Sequence, residues 1–179
     1  MKKLFTIIRI IFLNLKRLSF KSLFKLFYAV FSHPLFSVQT LWATAKTYAI
    51  SEKLFPVTHS TDGEGNAFRH ALWNCLIMMY CCKISSPKKS LIWTEKITNL
   101  HEELFPNEEL QTKMDLHNNE IGRQYFMKLL PGIHRQFFET SFFVDKLLEL
   151  TKNIKTLESM NQNLGFELVK LEEKRETLG

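Results

Sequence analysis

Polar side chains that could do chemistry recur on one face of an otherwise apolar stretch, residues 66–80. Asn66, His70 and Asn74 follow each other at intervals of four, which places them on one side of a helix. The rest of the stretch is apolar on nearly every side, so we expect this helix to be buried. A buried polar group without a partner costs about 1–3 kcal/mol, and the pattern therefore predicts polar groups opposite this face.

A second stretch, residues 114–123, supplies candidate partners. One helical face there holds Asp115, Asn118, Asn119 and Gly122. Glycine in the middle of a helix is disfavoured by about 1 kcal/mol, so Gly122 indicates the close approach of another helix or of a ligand.

The candidate site draws on these two stretches and on the end of a helix predicted between them. The candidate catalytic residues are His70, His101, Glu102 and Asp115. The candidate orienting or substrate-binding residues are Arg69, Asn74, Asn118, Asn119 and Arg123. Two imidazoles and a carboxylate, from His70, His101 and Asp115, could hold a divalent cation such as zinc and leave a position open for water.

Three interpretations of this set stay open at the level of sequence. A bound metal, or a histidine general base paired with an aspartate, would make the protein a hydrolase. The same groups could bind a ligand without chemistry. They could also form a hydrogen-bonded network that only fixes the packing of three helices. No zinc-protease or nucleophile-elbow motif occurs to separate these interpretations.

Composition and helix signals predict an all-α fold, a compact helical bundle. Only 6 Gly and 5 Pro are available for turns in 179 residues, and no β-hairpin signal occurs. Caps and breaks predict helices at residues 3–31, 35–54, 66–83, 88–104, 108–130 and 134–176, the last as one helix or two. The predicted parts are a basic amphipathic membrane-surface helix (1–31), a core domain with the polar site (32–135) and a C-terminal helical segment (136–179).

The N-terminal region carries a strong positive charge. Residues 1–51 contain eight of the 24 Lys and Arg and no Asp or Glu, which leaves 16 basic and 18 acidic residues for the rest of the chain. An apolar stripe at helical spacing is formed by Leu4, Ile8, Ile11, Leu15 and Leu18. Basic side chains fall on the opposite side, a pattern typical of a helix that lies on an anionic membrane surface.

Other interpretations of this region compete with the membrane-surface helix. A secretory signal is disfavoured because Arg9, Lys16 and Arg17 cut its apolar part short. Residues 26–45 are long and uncharged enough to span a bilayer, but they contain several polar side chains and a proline. Nucleic-acid binding is disfavoured because no base-reading motif occurs. The helix could also simply pack on its own domain.

Cysteine usage bears on the location of the protein. Cys75, Cys81 and Cys82 have neither a metal-binding nor a disulfide spacing, so we expect small core residues in a reducing compartment. Together with the basic arm, this predicts a cytoplasmic protein that is peripheral to the inner membrane.

The C-terminal segment carries a heptad pattern. Its apolar seam runs through Leu147, Leu150, Ile154, Leu157, Asn161, Leu164, Leu168 and Leu171. An Asn within such a seam often fixes the register of paired helices, so a homodimer through this helix is one expectation. Folding back onto the bundle is the other, and Gly165 marks a point where the helix could break.

Three motifs in these stretches resemble those of a bacterial domain of unknown function. They are AFRHAxWN at residues 67–74, HE at 101–102 and MDLHNNxxGR at 114–123, within a resembling region of residues 56–130. His-Pro-Leu-Phe at residues 33–36 also resembles stand-alone members. The resemblance implies a small helical domain with a site built from these motifs. Other members resemble C-terminal modules of secreted toxin-like proteins, which favours a hydrolase.

The function expected from the sequence is that of a membrane-associated hydrolase acting on a lipid or another membrane-proximal ester. The alternative is a non-catalytic, membrane-peripheral structural or interaction protein whose polar cluster is a core hydrogen-bond network. Both require the side chains of the three motifs to meet in one place within the fold.

Overall fold

Six helices make up most of the described structure, a computed structural model that describes residues 18–172. They are α1 (Phe20–Ser32), α2 (Pro34–Leu54), α3 (Glu64–Ile84), α4 (Pro87–Leu104), α5 (Glu109–Leu129) and α6 (Thr140–Thr151). A 3-10 turn at Arg135–Phe137 precedes α6, and two short parallel strands follow it, β1 (Lys155–Thr156) and β2 (Val169–Lys170). The predicted all-α fold is confirmed, and helices α2 to α5 begin and end within two residues of their predicted bounds.

The predicted helix 3–31 is only partly represented in the structure. Residues 1–17, which carry the predicted apolar stripe from Leu4 to Leu15, lie outside the described residues. Within the described part, α1 begins at Phe20 because Ser19 is extended and its hydroxyl accepts a hydrogen bond from the Ser22 backbone N–H at 3.1 Å. The expectation of one helix running through residues 18 and 19 is therefore wrong.

The uncharged stretch 26–45 is divided between two helices. α1 ends at Ser32 and α2 begins at Pro34, whose fixed φ and missing N–H suit the first turn of a helix. Within residues 18–172, no helix combines the length and the apolar character that crossing a bilayer requires.

Helix α3 is the centre of the bundle. Sixteen of its 21 residues are buried, and it packs against α2, α4, α5 and α6. Its contact with α5 is closest at Gly122, where an added Cβ would lie 2.2 Å from the carbonyl oxygen of Ala71. The close helix approach predicted from Gly122 is thus confirmed, and it presses the polar faces of α3 and α5 together.

Helix α2 turns small residues inward and large apolar residues outward. Its buried residues are Ser37, Thr40, Ala43, Thr47 and Ser51. The outer sides of α1 and α2 form what we call the α1–α2 apolar face, and its residues, 57–87% exposed, are Phe20, Phe24, Tyr28, Phe31, Leu35, Val38, Leu41 and Trp42. This distribution reverses the usual one, in which a helix of a bundle turns its large apolar side chains toward the core.

The C-terminal segment is helical only as far as Thr151. The heptad pattern continues beyond it, but Asn153 and the polar run 161–163 favour turns over helix. Leu157 and Leu168 of the predicted seam are instead buried in their own domain, at 2% and 0% exposure. The predicted long helix is therefore wrong, and the heptad seam has no continuous helix on which to form the predicted homodimer contact.

Candidate functional site, a buried histidine–carboxylate cluster

Three helices bring most of the predicted polar residues together in the core. The contributing residues are Asn66, Arg69, His70 and Asn74 of α3, Glu102 of α4, and Asp115, Asn119 and Arg123 of α5. Within α3 and α5 they recur mainly at intervals of three or four, so they share one face of each helix. All of them except Arg69 are at most 6% exposed, and the site is therefore enclosed.

His70, Glu102 and Asp115 form the centre of this cluster. The Nε2 atom of His70 is 3.3 Å from Oδ1 of Asp115, and its Nδ1 atom is 3.8 Å from Oε1 of Glu102. One atom able to bind a metal from each of the three residues lies within 4.8 Å of the other two. In the part of the chain that the structure describes, no other group of three His, Cys, Asp or Glu side chains converges so closely.

Hydrogen bonds fix the protonation state of His70. Oδ1 of Asn119 accepts from Nδ1 of His70 at 3.1 Å and from Nδ2 of Asn74 at 2.6 Å. The amide Nδ2 of Asn119 donates to Oε1 of Glu102 at 3.2 Å. On the other side of the ring, Nη2 of Arg69 lies 3.0 Å from Nε2 of His70. Because a guanidinium can only donate, Nε2 accepts, and His70 is neutral with its proton on Nδ1.

This protonation state leaves a mismatch between His70 and Asp115. The Nε2 atom presents a lone pair, and an ionised carboxylate oxygen 3.3 Å away presents lone pairs of its own. Two acceptors at this distance repel each other unless a proton or a cation lies between them. The geometry therefore favours either a protonated Asp115 or a bound cation.

Burial shifts the pKa values of the ionisable groups at the centre of the cluster. Burial, followed by the charge of Asp115, raises the pKa of Glu102 to about 7. Burial also raises the pKa of Asp115 to about 6, although Arg69 opposes it. Burial and the positive charge of Arg69 lower the pKa of His70 well below its ordinary value. A neutral imidazole thus faces two carboxyl groups that exchange protons near neutral pH, which suits acid–base chemistry or metal binding.

Two amide side chains hold the carboxylate of Asp115. Asn66 donates to its Oδ1 at 3.2 Å, and Asn107 donates to its Oδ2 at 3.3 Å. Asn66 belongs to the polar face predicted for α3, but Asn107 is absent from the predicted set. It stands shortly before α5, where Asn is common as a helix-capping residue, so its type and position did not distinguish it from a cap.

Arg123 supports the cluster through Asn74. Its Nη1 donates to Oδ1 of Asn74 at 3.0 Å and to the Thr98 hydroxyl at 3.1 Å, and its Nη2 donates to Glu120 at 2.7 Å. Asn74 in turn donates to Asn119, so Arg123 positions the amide that holds the histidine. Thr98 was not predicted, although it lies four residues before Glu102 on the same face of α4.

His101 lies beside the centre and not in it. Its ring packs edge-on against Trp73, with the centroids 5.2 Å apart. Adjacent residues of a helix point about 100° apart, so His101 and Glu102 cannot both face α5. The predicted metal-ligand set of His70, His101 and Asp115 is therefore corrected, because the geometry groups His70 and Asp115 with Glu102.

Asn118 also turns away from the cluster. Its Nδ2 donates to the Val169 carbonyl at 2.8 Å, and its Oδ1 accepts from the Val169 N–H at 3.0 Å. These two bonds occupy the amide and attach β2 to α5. The structure therefore places Asn118, predicted as an orienting residue, against β2, while its neighbour Asn119 bonds to His70 and Glu102.

The fold and the cluster together define an all-α protein with an enclosed histidine–carboxylate centre where three helices meet. The chain belongs to the family described as a domain of unknown function (DUF6973), which matches residues 27–155. The predicted resemblance to a domain of unknown function is thereby confirmed. No curated protein and no solved structure matches the chain. The matched range contains the whole cluster and ends before the strand β2 that Asn118 holds.

Proposed function

We propose that the protein is a membrane-surface hydrolase whose centre binds a divalent cation through His70, Glu102 and Asp115. The observation that carries this proposal is the convergence of one imidazole nitrogen and two carboxylate oxygens within 4.8 Å. Catalytic zinc is commonly held by three nitrogen or oxygen ligands at about 2.0–2.2 Å, which places the ligands roughly 3–4 Å apart. The 3.3 Å between Nε2 of His70 and Oδ1 of Asp115 fits this spacing.

A cation would remove the repulsion between His70 and Asp115. It would bind the lone pair of Nε2 and replace the protons that burial otherwise keeps on Asp115 and Glu102. A cation bound in this way lowers the pKa of a coordinated water and so supplies a nucleophile. Arg69 would give up its hydrogen bond to Nε2, and its guanidinium would become available to an anionic oxygen of the substrate.

The amide side chains would then act as positioning residues. Metal-binding histidines are oriented by a hydrogen bond from the ring nitrogen that does not bind the metal. Asn119 accepts such a bond from Nδ1 of His70, which leaves Nε2 as the ligand atom. Asn66 and Asn107 hold the two oxygens of Asp115 in the same way.

The α1–α2 apolar face supports a location at the membrane surface. Lys21 is exposed among its phenylalanines, Lys25 is paired with Glu103 of α4, and residues 1–51 contain no Asp or Glu. Apolar side chains at such a face enter the membrane interface, and each nearby lysine adds about 1 kcal/mol of attraction to anionic lipid. We therefore propose a lipid or another membrane-proximal ester as the substrate, and the cytoplasmic side of the inner membrane as the location.

A second candidate function is purely structural, and the burial of the cluster favours it. His70, Asn119 and Asp115 are at most 3% exposed, and their polar atoms already have partners inside the protein. A satisfied network of this kind fixes how three helices pack without any bound cation. The protein would then be a membrane-peripheral structural or interaction protein.

Zinc binding by the purified full-length protein separates the two candidates. We expect zinc to raise the midpoint of thermal unfolding, since a ligand at one hundred times its Kd stabilises a protein by about 2.7 kcal/mol. Glu102→Gln should abolish this rise. Glu95→Gln is the matched control, because Glu95 lies on the same helix but is exposed and outside the cluster.

Hydrolysis is measured in parallel as fatty acid released from phosphatidylglycerol vesicles. The proposed function predicts release that requires zinc, is lost in Glu102→Gln and persists in Glu95→Gln. An unfolding midpoint that zinc does not change, together with no release by the wild-type protein, would instead favour the core network.

A further inference from the structure

An apolar cavity of about 380 Å³ lies between α1, α2 and α4. Leu26, Val30, Ile97 and Leu104 are among the side chains that form its walls. Pockets for small ligands span about 300–1,000 Å³, so the cavity is of ligand size. Its volume corresponds to about a dozen groups of the size of a water molecule or a methylene.

The polar atoms of two tryptophans in the cavity wall are engaged within the protein. Nε1 of Trp73 donates to the Thr44 hydroxyl at 2.8 Å, and Nε1 of Trp93 donates to the Thr40 hydroxyl at 2.9 Å. The hydroxyls of Thr44 and Thr40 in turn donate to backbone carbonyls. The indole rings therefore offer the cavity hydrocarbon surface, and an apolar ligand leaves no polar partner unsatisfied by entering.

His101 is the exception among the wall residues. It lines the cavity and directly precedes Glu102 of the cluster. Its imidazole packs edge-on against Trp73 and at a tilt against Phe105, and within residues 18–172 its ring nitrogens make no hydrogen bond. The wall thus keeps one group that can bond to a carbonyl oxygen of an otherwise apolar ligand.

The cavity opens onto the α1–α2 apolar face. Phe27, Phe31 and Leu41 line it, yet they are 49%, 74% and 57% exposed. An alkyl chain that passes from a membrane under this face into the cavity therefore stays in contact with apolar side chains throughout. Such a path avoids the cost of taking a hydrocarbon chain through water.

We propose that this cavity binds one acyl chain of an anionic membrane phospholipid. The apolar walls match the chain, the exposed Lys21 of α1 matches the negative headgroup, and His101 matches an ester carbonyl. The inference rests on the proposed function only in making this lipid the substrate, because chain binding itself needs neither a metal nor hydrolysis. Residues 1–17 of the chain or a second copy of the protein are the competing occupants.

The tryptophans make the proposal testable by fluorescence, since the chain has three. Trp73 and Trp93 line the cavity and are 9% and 2% exposed, whereas Trp42 is 59% exposed on the α1–α2 apolar face. The full-length Trp42→Phe variant therefore reports from the cavity wall. It is titrated with phosphatidylglycerol vesicles that carry brominated acyl chains and, separately, with soluble bromoundecanoate brominated at its terminal carbon, since bromine quenches tryptophan on contact.

We expect both probes to cause a saturable loss of fluorescence in Trp42→Phe. Adding Leu100→Phe, which fills the cavity from its wall, should raise the probe concentration needed for the same loss by about tenfold or more. Adding Ile92→Phe instead is the matched control, because Ile92 lies on the same helix at 58% exposure, and it should leave the titration unchanged.

Three results would overturn the proposal. No quenching by either probe in the folded protein means that the cavity does not admit acyl chains. Equal titrations for Leu100→Phe and Ile92→Phe place the probe outside the cavity. Quenching by bromoundecanoate but not by the vesicles removes the membrane lipid as the source of the chain. Failure of zinc binding or hydrolysis alone leaves the quenching intact and counts only against the proposed function.

Discussion

The cluster of α3, α4 and α5 and the α1–α2 apolar face depart from the usual distribution of polarity in opposite directions. The cluster buries polar groups, with His70 2% and Asp115 3% exposed, while the face exposes apolar ones, with Phe20 87% exposed. Both departures are unfavourable in water unless something compensates them. Each region therefore needs contacts that offset this unfavourable free energy.

The source of these offsetting contacts differs between the two regions. In the cluster the compensation is internal, because the amides of Asn66, Asn107 and Asn119 satisfy the histidine and the carboxylates. On the α1–α2 apolar face, nothing within residues 18–172 covers the exposed side chains. We therefore expect substitutions in the cluster to change the free energy of unfolding. Substitutions on the α1–α2 apolar face should instead change how strongly the protein associates with membranes.

The largest effect on stability is expected where the two polar faces are pressed together. Gly122→Ala would place a Cβ 2.2 Å from the carbonyl oxygen of Ala71, and backbone atoms there cannot move aside. We expect a loss of about 3 kcal/mol or more in the free energy of unfolding, measured with urea. Gly132→Ala is the control, since its nearest neighbouring atom would be 3.9 Å away. Similar values for the two variants would contradict the close approach of α3 and α5.

Removal of the central amide should have the next largest effect. Asn119→Ala removes one buried hydrogen bond from each of His70, Asn74 and Glu102, and we expect a loss of about 2–3 kcal/mol. Asn99→Ala on the exposed side of α4 should change stability by less than about 0.5 kcal/mol. If chemical unfolding gives the two variants equal stability, the internal compensation described above is not what holds the cluster.

The free energy of unfolding of the metal-free protein should also depend on pH, by a smaller amount and in a definite direction. Burial raises the pKa of Glu102 to about 7, above its value in the unfolded chain, so the folded state retains a proton that the unfolded state releases. The stability contributed by this proton is complete at pH values below the ordinary pKa of Glu and is lost as the pH rises through about 7.

Glutamine at position 102 cannot deprotonate and should avoid this loss. We expect Glu102→Gln to gain about 1–3 kcal/mol over the wild-type protein as the pH rises from 5 to 8, in the presence of a chelator. The gain is read from urea unfolding at each pH, with Glu95→Gln as the exposed control on the same helix. A difference between Glu102→Gln and the wild type that does not change with pH would mean that the carboxyl titrates normally.

The smallest effect on stability is expected on the α1–α2 apolar face. Phe20→Ser combined with Phe24→Ser removes two side chains that are 87% and 66% exposed, so the free energy of unfolding should change by less than about 1 kcal/mol. Sedimentation with phosphatidylglycerol vesicles should nevertheless fall by about tenfold or more, since membrane burial of each Phe is worth about 1.5–3 kcal/mol. Phe137→Ser, 71% exposed elsewhere, is the control. Unchanged sedimentation of the double variant would exclude these residues from membrane contact.

Local signals in the sequence are sufficient to predict the four helices α2 to α5 and most residues of the cluster. Pro34 and Pro87 mark the first turns of α2 and α4, because proline fits there and nowhere else in a helix. The interval of four between Asn66, His70 and Asn74 predicted a polar face within a buried helix, and the structure places that face against Asp115 and Asn119 of α5.

The remaining parts depend on information that one sequence does not carry. The choice of Glu102 over His101 depends on how far α4 is rotated, and a pair of adjacent polar residues does not indicate that rotation. Asn107 enters the cluster from a loop, where no periodicity applies. The C-terminal heptads were misleading because their leucines are buried by an irregular chain as effectively as by a helix, as at Leu157 and Leu168.

The inward hydroxyls and outward hydrophobic side chains of α2 have a practical consequence for handling the protein. When it is concentrated in plain buffer, copies can cover each other's exposed Leu35, Val38 and Trp42, and soluble aggregates form without any specific interface. A mild detergent would disperse such aggregates by coating the same residues. Particle size recorded with and without detergent would therefore distinguish this adhesion from a true oligomer, and purification in detergent is the appropriate starting condition.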